Sequence, residues 1–207
     1  MQVMADQTLS SRPSASMRAL LPALASLLCA CASNGPAQPK EVLDEYSGVT
    51  LIVVQRPMVF ARSRIDVGAN VRDYLTLVAT EEDRSGKYKV WLIVHRWSTV
   101  DPRMQGDADG KSALHIIADG RELVLARAEP APAILARGDL LFAPRGSRTD
   151  SAAYAVDDPT LRYIADSDRL LLRIGDDTAL PAYAVWDDGR EAMRQLLAEV
   201  GTPAGKP

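Results

Sequence analysis

The sequence predicts an α+β domain that is predominantly antiparallel β-sheet, sandwich-like or half-barrel-like, with a C-terminal helix packed on the sheet. Three observations support this fold class. Short β-branched and apolar segments recur along the chain, and turn-forming residues separate them. Most connections between these segments are short, which favours antiparallel pairing. One late segment carries apolar residues at helical spacing, which is typical of a helix that packs on a sheet.

Several strands are predicted in the first half of the chain. Residues 49–55 (VTLIVVQ) are β-branched and apolar, and Pro57 ends this run. Residues 74–80 and 87–99 are predicted to form a hairpin, joined by the charged turn 81–86 (EEDRSG). The second strand of this hairpin is apolar on both faces in its middle, so we expect a central strand that is covered on both sides.

A second hairpin is predicted around Asp119-Gly120, because this dipeptide is a strong signal for a two-residue turn. Its strands are residues 114–117 and 122–126. Further strands are predicted over residues 151–156, 169–174 and 183–186.

Two helices are predicted in the last third of the chain. Asp158-Pro159 is typical of an N-cap followed by proline in the first turn, which predicts a short helix over 159–166. Asp188 and Glu191 form an acidic capping box ahead of a second helix. The apolar stripe of this helix consists of Ala192, Met193, Leu196, Leu197 and Val200. We interpret the stripe as packed on the sheet; a helix that binds a partner is the alternative.

The N-terminal segment has the features of a bacterial signal peptide. Arg18 supplies a positive charge, and residues 19–30 form an apolar run that fits the central region of a signal peptide and is too short to span a bilayer as a helix. We predict that translation starts at Met17. Residues 1–16 are then an upstream extension, and residues 17–30 are the signal peptide.

The apolar run ends in Leu28-Cys29-Ala30-Cys31, which resembles the lipobox of bacterial lipoprotein precursors. The resemblance implies cleavage between Ala30 and Cys31 by the lipoprotein type of signal peptidase. It also implies lipidation of Cys31, so that the acyl chains anchor the protein in the membrane. Cys29 departs from the commoner Ala, Ser, Thr or Val at this place, but it is equally small. The alternatives are a secreted protein cut after Ala30 or Ala32, or a short buried helix.

The residue after the lipidated cysteine bears on the destination. Ala32 stands where an aspartate would retain a lipoprotein in the inner membrane under the enterobacterial rule. The resemblance therefore implies an outer-membrane lipoprotein that faces the periplasm. The rest of the chain resembles envelope lipoproteins of similar length and unassigned role, through Asp73-Tyr74-Leu75 and Trp97-Ser98-Thr99, and no residue's role follows from that likeness.

The predicted domain organisation follows from these segments. Residues 31–42 form the lipidated N-terminus and a flexible tether, because they are rich in small and turn-forming residues, including Pro36 and Pro39. Residues 43–201 form a single globular β-rich domain, and residues 202–207 form a disordered tail.

Composition limits the partners. The chain of 207 residues has a formal net charge of -3, and residues 1–30 contain one acidic and two basic side chains, so the remainder carries one more negative charge. An acidic domain has no general attraction for nucleic acid, so no nucleic-acid partner is expected. The two cysteines, Cys29 and Cys31, both lie at the predicted cleavage site, which leaves no disulfide, cysteine metal site or thiol nucleophile in the domain.

Few residues in the domain suggest chemistry. His95 shares a strand face with Trp91 and Trp97, so it is either a ligand or base in an aromatic cleft or, as we favour, a hydrogen-bonded histidine at the edge of a core. Asp107 and Asp109 match only part of a calcium loop, and we interpret them as an exposed turn. Arg145 and Arg148 are likewise interpreted as solvated.

The sequence contains no nucleophile elbow, Walker loop, dinucleotide-binding glycine motif or HExxH zinc motif. A triad could be written from Ser98, His95 and Asp101, but residues 95 and 98 face opposite sides of a strand. We therefore predict no catalytic, cofactor-binding or metal-binding residues. The expected function is a non-enzymatic binding or structural and assembly role in the envelope, with an unidentified protein, glycan or lipid partner. The alternative is an envelope enzyme that uses His95 in an aromatic-lined cleft.

Overall fold

An antiparallel sheet dominates the structure and confirms the predicted fold class. The computed structural model describes residues 38–45, 47–98, 112–144, 150–175 and 181–200, which all belong to one compact unit, Pro36–Pro207. Within these ranges, ten strands form one sheet, and two α-helices and a short 3-10 helix complete the fold. The predicted leader, the lipobox and the tail 202–207 lie outside the described residues.

The strands are β1 (Lys40–Asp44), β2 (Val49–Val53), β3 (Met58–Ser63), β4 (Arg72–Arg84), β5 (Lys87–Ser98), β6 (Leu114–Ala118), β7 (Arg121–Leu125), β8 (Asp150–Val156), β9 (Leu170–Ile174) and β10 (Tyr183–Asp187). The helices are α1 (Asp158–Asp166) and α2 (Arg190–Val200), and the 3-10 helix covers Ala133–Ala136. The strand order is β1-β2-β4-β3-β10-β9-β6-β7, and β5 joins β4 to β8.

The hairpin of β4 and β5 is the centre of the sheet. The two strands pair along their whole length, from Asp73 opposite Ser98 to Arg84 opposite Lys87. β5 also pairs with β8 on its other edge, and the middle of β5 is buried on both faces. This confirms the prediction of a central strand with two apolar faces.

The turn of this hairpin is shorter than predicted. The segment 81–86 is not a turn throughout, because β4 continues as far as Arg84. Only Ser85 and Gly86 make the turn, with φ angles of 56° and 81°. Pairing with β2 and β5 therefore extends β4 through residues whose charge alone indicates a loop.

The far end of the sheet returns to β8. Arg127, just after β7, forms an isolated antiparallel bridge with Tyr154. Next to it, the backbone N–H of Ala128 donates to the carbonyl oxygen of Ala153 over 2.8 Å. The sheet therefore folds over on itself, and one of its faces turns inward.

The inward face holds a large part of the apolar core. Register places Phe60 beside Leu75 and Met58 beside Leu77 across β3 and β4. Side chains of the same face on β5, β6 and β9 complete this layer, and they include Leu92, Leu114, Ile116 and Leu172. All of these side chains are fully buried, so this layer supplies a large part of the hydrophobic stabilisation.

The two helices pack against each other, and α2 also contacts β4. The predicted stripe on α2 is buried at Ala192, Met193, Leu196 and Leu197. Neither helix in the described part of the chain has the length and hydropathy needed to cross a membrane. The C-terminal helix thus covers the sheet, as the spacing predicts.

Two predicted boundaries differ from the structure. The N-cap of α1 is Asp157 rather than Asp158, and its Oδ1 accepts a hydrogen bond of 2.9 Å from the N–H of Thr160. β1 begins at Lys40, so the end of the range predicted as a tether, 31–42, is paired with β2. The composition of that segment gives no sign of a strand, because β1 is held in place by its hydrogen bonds to β2.

Candidate functional site

An open cleft lies where the β4–β5 hairpin meets the start of α1 and the end of α2. Its volume is about 740 Å³, which is in the range of small-molecule sites. The described residues that line the cleft are Glu81, Tyr88, Lys89, Val90, Leu125, Ala155, Val156, Asp157, Asp158, Pro159, Thr160 and Val200. The cleft thus combines an apolar surface with several carboxylates.

Glu81 is the buried polar residue of this cleft. It follows Leu77 and Ala79 on the inward face of β4, and its cross-strand neighbours are Ile52 and Val90. Only 3% of the residue is exposed, and its Oε2 has no hydrogen-bond partner in the described structure. A buried carboxylate oxygen without a donor destabilises the folded state, because it has lost its hydrogen bonds to water and no protein group replaces them.

The surroundings of Glu81 shift its pKa. Burial raises the pKa of the carboxyl group, and the negative charges of Asp158 and Asp83 raise it further. Buried residues with a perturbed pKa in a cleft are typical of functional sites. Here the shift has two causes, burial and the nearby negative charges, and a positively charged ligand would oppose both of them.

Lys89 is the one basic residue among the described residues that line the cleft. It alternates with Val90 and therefore belongs to the outer face of β5, where its Nζ lies 4.4 Å from the centroid of the Trp91 ring. This cation–π contact directs the ammonium group away from Glu81. The cleft consequently has an excess of negative charge.

The start of α1 forms one wall of the cleft. Its N-terminal N–H groups would favour an anion, but Asp157 already caps Thr160, and Asp158 lies in the first turn. The hydrogen bond to Thr160 lowers the pKa of Asp157, so this carboxylate is fully ionised at neutral pH. The helix therefore adds carboxylates to the cleft rather than a site for an anion.

His95 is not at an accessible site. It is 1% exposed, and its Nδ1 lies 2.8 Å from Oγ of Ser151 on β8. Burial lowers the pKa of the imidazole, and the backbone of Leu141 opposes part of this shift. In the described structure no carboxylate is bonded to His95, so the accessible, acid-flanked histidine that the enzymatic alternative requires is not present. The favoured interpretation, a hydrogen-bonded core histidine, fits this geometry.

The two tryptophans beside His95 do not line a cleft around it. Trp91 is 5% exposed, and its Nε1 donates to Oε2 of Glu82 over 3.0 Å. Trp97 stacks on Tyr74 with 4.3 Å between ring centroids, and its Nε1 donates to Oγ1 of Thr76. A second cleft of about 650 Å³ includes Trp91 but not His95.

A buried ionic cluster lies at the other end of β4. Oδ2 of Asp73 accepts hydrogen bonds from Nη2 of Arg62 over 3.0 Å and from Nη1 of Arg64 over 3.1 Å. Arg64 also binds Asp66, whose side chain is largely exposed. The side chains of Asp73, Arg62 and Arg64 are almost completely buried. This burial indicates that the cluster has a structural role and closes this end of the core.

The other residues considered from the sequence divide into two groups. His115 is exposed to a small extent and lies 3.1 Å from Glu122, and Ser98 faces away from His95 as expected. The remaining candidates lie outside the described residues: Ala30, Cys31, Asp101, Asp107, Asp109, Arg145 and Arg148. In the described ranges, no group of three or more His, Cys, Asp or Glu side chains could hold a metal ion.

Glu81 is the site residue that sequence reasoning missed. Its neighbours Glu82 and Asp83 give the segment the appearance of a solvated turn. The one usable signal is its phase, because Glu81 continues the alternation of Leu75, Leu77 and Ala79.

Comparisons of the chain with protein-family models, with curated proteins and with solved structures found no match.

Proposed function

We propose that this chain is a lipid-anchored lipoprotein of the bacterial cell envelope, whose domain binds a ligand or partner rather than catalysing a reaction. The observation that carries the proposal is Leu28-Cys29-Ala30-Cys31 at the end of a short apolar run that follows Arg18. The acyl chains on Cys31 hold the domain at the membrane. Ala32 favours the outer membrane, with the domain in the periplasm.

The binding role is supported by the cleft at Glu81. A ligand site needs a concave surface of sufficient size, apolar area and a few polar groups that fix orientation. The cleft is large enough at about 740 Å³. Val90, Val156 and Val200 supply apolar area, and the carboxylates supply the polar groups. The buried His95 gives no comparable support to the enzymatic alternative.

The anchor is tested by the mass of the mature N-terminus. Wild-type protein, Cys31→Ser and Cys29→Ser are expressed in the native bacterium, and membrane and soluble fractions are compared. We expect wild type and Cys29→Ser to be cleaved before Cys31, acylated and recovered with the outer membrane. Cys31→Ser should remain an uncleaved precursor or leave the membrane fraction.

Cys29→Ser is the matched control, because it changes a cysteine two residues away and keeps a small side chain. If the mature wild-type N-terminus carries no acyl chain, the proposed anchor is wrong. If Cys29 rather than Cys31 carries the lipid, the assigned position is wrong.

The binding role is tested by site-specific photocrosslinking in the same cells. A photoreactive phenylalanine analogue replaces Tyr88, which is exposed at the cleft, or Val124, which is exposed on the outer face of β7. We expect a discrete adduct from position 88 that is absent at position 124. Equal labelling from both positions, or none from either, would contradict a binding role for the cleft.

A further inference from the structure

We infer that the Glu81 cleft binds a primary ammonium group carried on a short apolar chain, such as a free alkyl diamine or the side chain of a lysine. The inference rests on the proposed binding role and names its ligand chemistry. It does not depend on the lipid anchor. Two observations support it: Asp157 and Asp158 give the cleft further carboxylates, and the buried Oε2 of Glu81 has no donor in the described structure.

The unpartnered oxygen of Glu81 determines the head group. An ammonium group supplies three N–H donors and a positive charge, and both are missing around Glu81. Charge-assisted hydrogen bonds of this type are short and about twice as strong as neutral ones. Binding would also offset the raised pKa of Glu81, because a positive charge next to the carboxyl group favours its ionised form.

The charges around the cleft, taken together, favour a cation. β4 contributes Glu81, with Asp83 close enough to affect it, and the start of α1 contributes Asp157 and Asp158. β5 contributes Lys89, whose ammonium group is held against Trp91. The described lining from β7, β8 and α2 is uncharged. A cation that enters the cleft therefore meets more carboxylates than ammonium groups.

The walls of the cleft determine the rest of the ligand. Leu125, Val156, Pro159 and Val200 present apolar surface beside the carboxylates, which suits a methylene chain. Tyr88 is the one aromatic residue in the described lining, whereas a quaternary ammonium ligand is held by a cage of several aromatic rings. A primary ammonium on an alkyl chain fits both features.

Titration of the full chain in detergent solution tests the inference. The probes are 1,5-diaminopentane, lysine blocked at both backbone ends, and 1-pentanol, and heat and amide NMR shifts report binding. At mildly alkaline pH, at least one amine should bind and shift signals of β4, β5 and α1, and 1-pentanol should not. Preference for the diamine indicates a free amine ligand, and preference for blocked lysine indicates a peptide; either supports the inference.

Two variants locate the site. Glu81→Gln keeps the shape and removes the charge, so it should weaken amine binding about tenfold or more. Glu82→Gln changes the next residue on the opposite face of β4, where an amide oxygen still accepts from Trp91, and it should bind like wild type. Affinity for wild type should fall as pH is lowered, because protonated Glu81 no longer attracts a cation.

Three results would overturn the inference: no binding of either amine, equal binding by wild type and Glu81→Gln with both folded by circular dichroism, or equal binding of 1-pentanol. None of them changes the acylation of Cys31 or a crosslink from position 88, so failure of this ligand class is distinguishable from failure of the proposed function.

Discussion

Glu81 and Glu82 are adjacent on β4, yet their carboxylates lie on opposite faces of the sheet in opposite electrostatic situations. Glu82 accepts a hydrogen bond from the indole of Trp91 and is partly exposed to water. Glu81 is buried, and its Oε2 has no partner in the described structure. The pair shows how strand alternation turns two identical residues into a structural acceptor and a candidate ligand group.

The first prediction concerns stability and Glu81. Because burial raises the pKa of Glu81, the folded protein holds this proton more tightly than the unfolded chain. The protonated Glu81 therefore makes its full contribution to the free energy of unfolding below about pH 4.3, the ordinary pKa of glutamate. That contribution is lost as the pH rises through the pKa of Glu81 in the folded protein. At neutral pH, Glu81→Gln should be more stable than wild type, by roughly 1 kcal/mol or more.

Urea denaturation across the pH range measures this effect. Glu82→Gln is the control, because the changed group is partly solvated and keeps an acceptor for Trp91. If the difference in the free energy of unfolding between wild type and Glu81→Gln does not grow from acid to neutral pH, Glu81 is not a buried carboxyl group that lacks a hydrogen-bond donor.

Much of the sheet could be predicted from the sequence, and the reason is local. The continuous apolar run in β5 and the turn Asp119-Gly120 act over a few residues, and the structure confirms both, with φ angles of 49° and 84° at the turn. The extent of β4 could not be predicted in this way. Its last residues are charged, and besides the adjacent β5 they pair with β2, a strand that is distant in the sequence.

The site was less predictable than the fold for a related reason. Glu81 is buried because Ile52 from β2 and Val90 from β5 flank it, and α1 and α2 approach from the other end of the chain. His95 finds its partner in Ser151, 56 residues later. Local pattern gives the face on which such a side chain lies, but not what covers that face.

The second prediction concerns His95 and has the opposite dependence on pH. Burial lowers the pKa of His95, so the unfolded chain takes up the proton first, from roughly 6.5 downward. This part of the stability is present above that value and is lost as pH falls through the folded pKa. His95→Gln stays neutral and can still bond to Ser151, so it should lose less stability than wild type on acidification.

Thermal unfolding at mildly acid and mildly alkaline pH measures the difference. His115→Gln serves as the control, since this residue lies beside Glu122 near the surface. An identical acid sensitivity of wild type and His95→Gln would show that another group is responsible.

The third prediction concerns the ionic cluster around Asp73. Asp73→Asn leaves the guanidinium groups of Arg62 and Arg64 buried without the charge that both of them bind. Breaking a buried pair by removing one partner typically costs about 3–5 kcal/mol, so we expect a loss of this size in the free energy of unfolding. Chemical denaturation monitored by tryptophan fluorescence provides the measurement.

Asp66→Asn is the matched control for Asp73→Asn. It removes the other carboxylate that Arg64 binds, but that carboxylate is largely in water. Its loss should have only a small effect, because exposed ion pairs are screened by solvent. Equal effects of the two changes would contradict a special role for the buried carboxylate.

The fourth prediction concerns Gly189, which precedes α2. A Cβ atom placed here would lie 2.6 Å from the carbonyl oxygen of Pro57 and 2.8 Å from that of Arg56. Both neighbours are backbone atoms, which cannot rotate away as a side chain can. Gly189→Ala should therefore force α2 and the β2–β3 connection apart and destabilise the fold by roughly 1–3 kcal/mol.

Gly138→Ala is the control for Gly189→Ala, because its Cβ would meet only the Cβ of Ala143 at 3.4 Å. The free energy of unfolding of this variant should stay close to that of wild type. Since the end of α2 lines the Glu81 cleft through Val200, Gly189→Ala should also weaken the binding of any ligand there, and Gly138→Ala should not. A Gly189→Ala protein as stable as wild type would contradict the close approach of Gly189 to the carbonyl groups of Arg56 and Pro57.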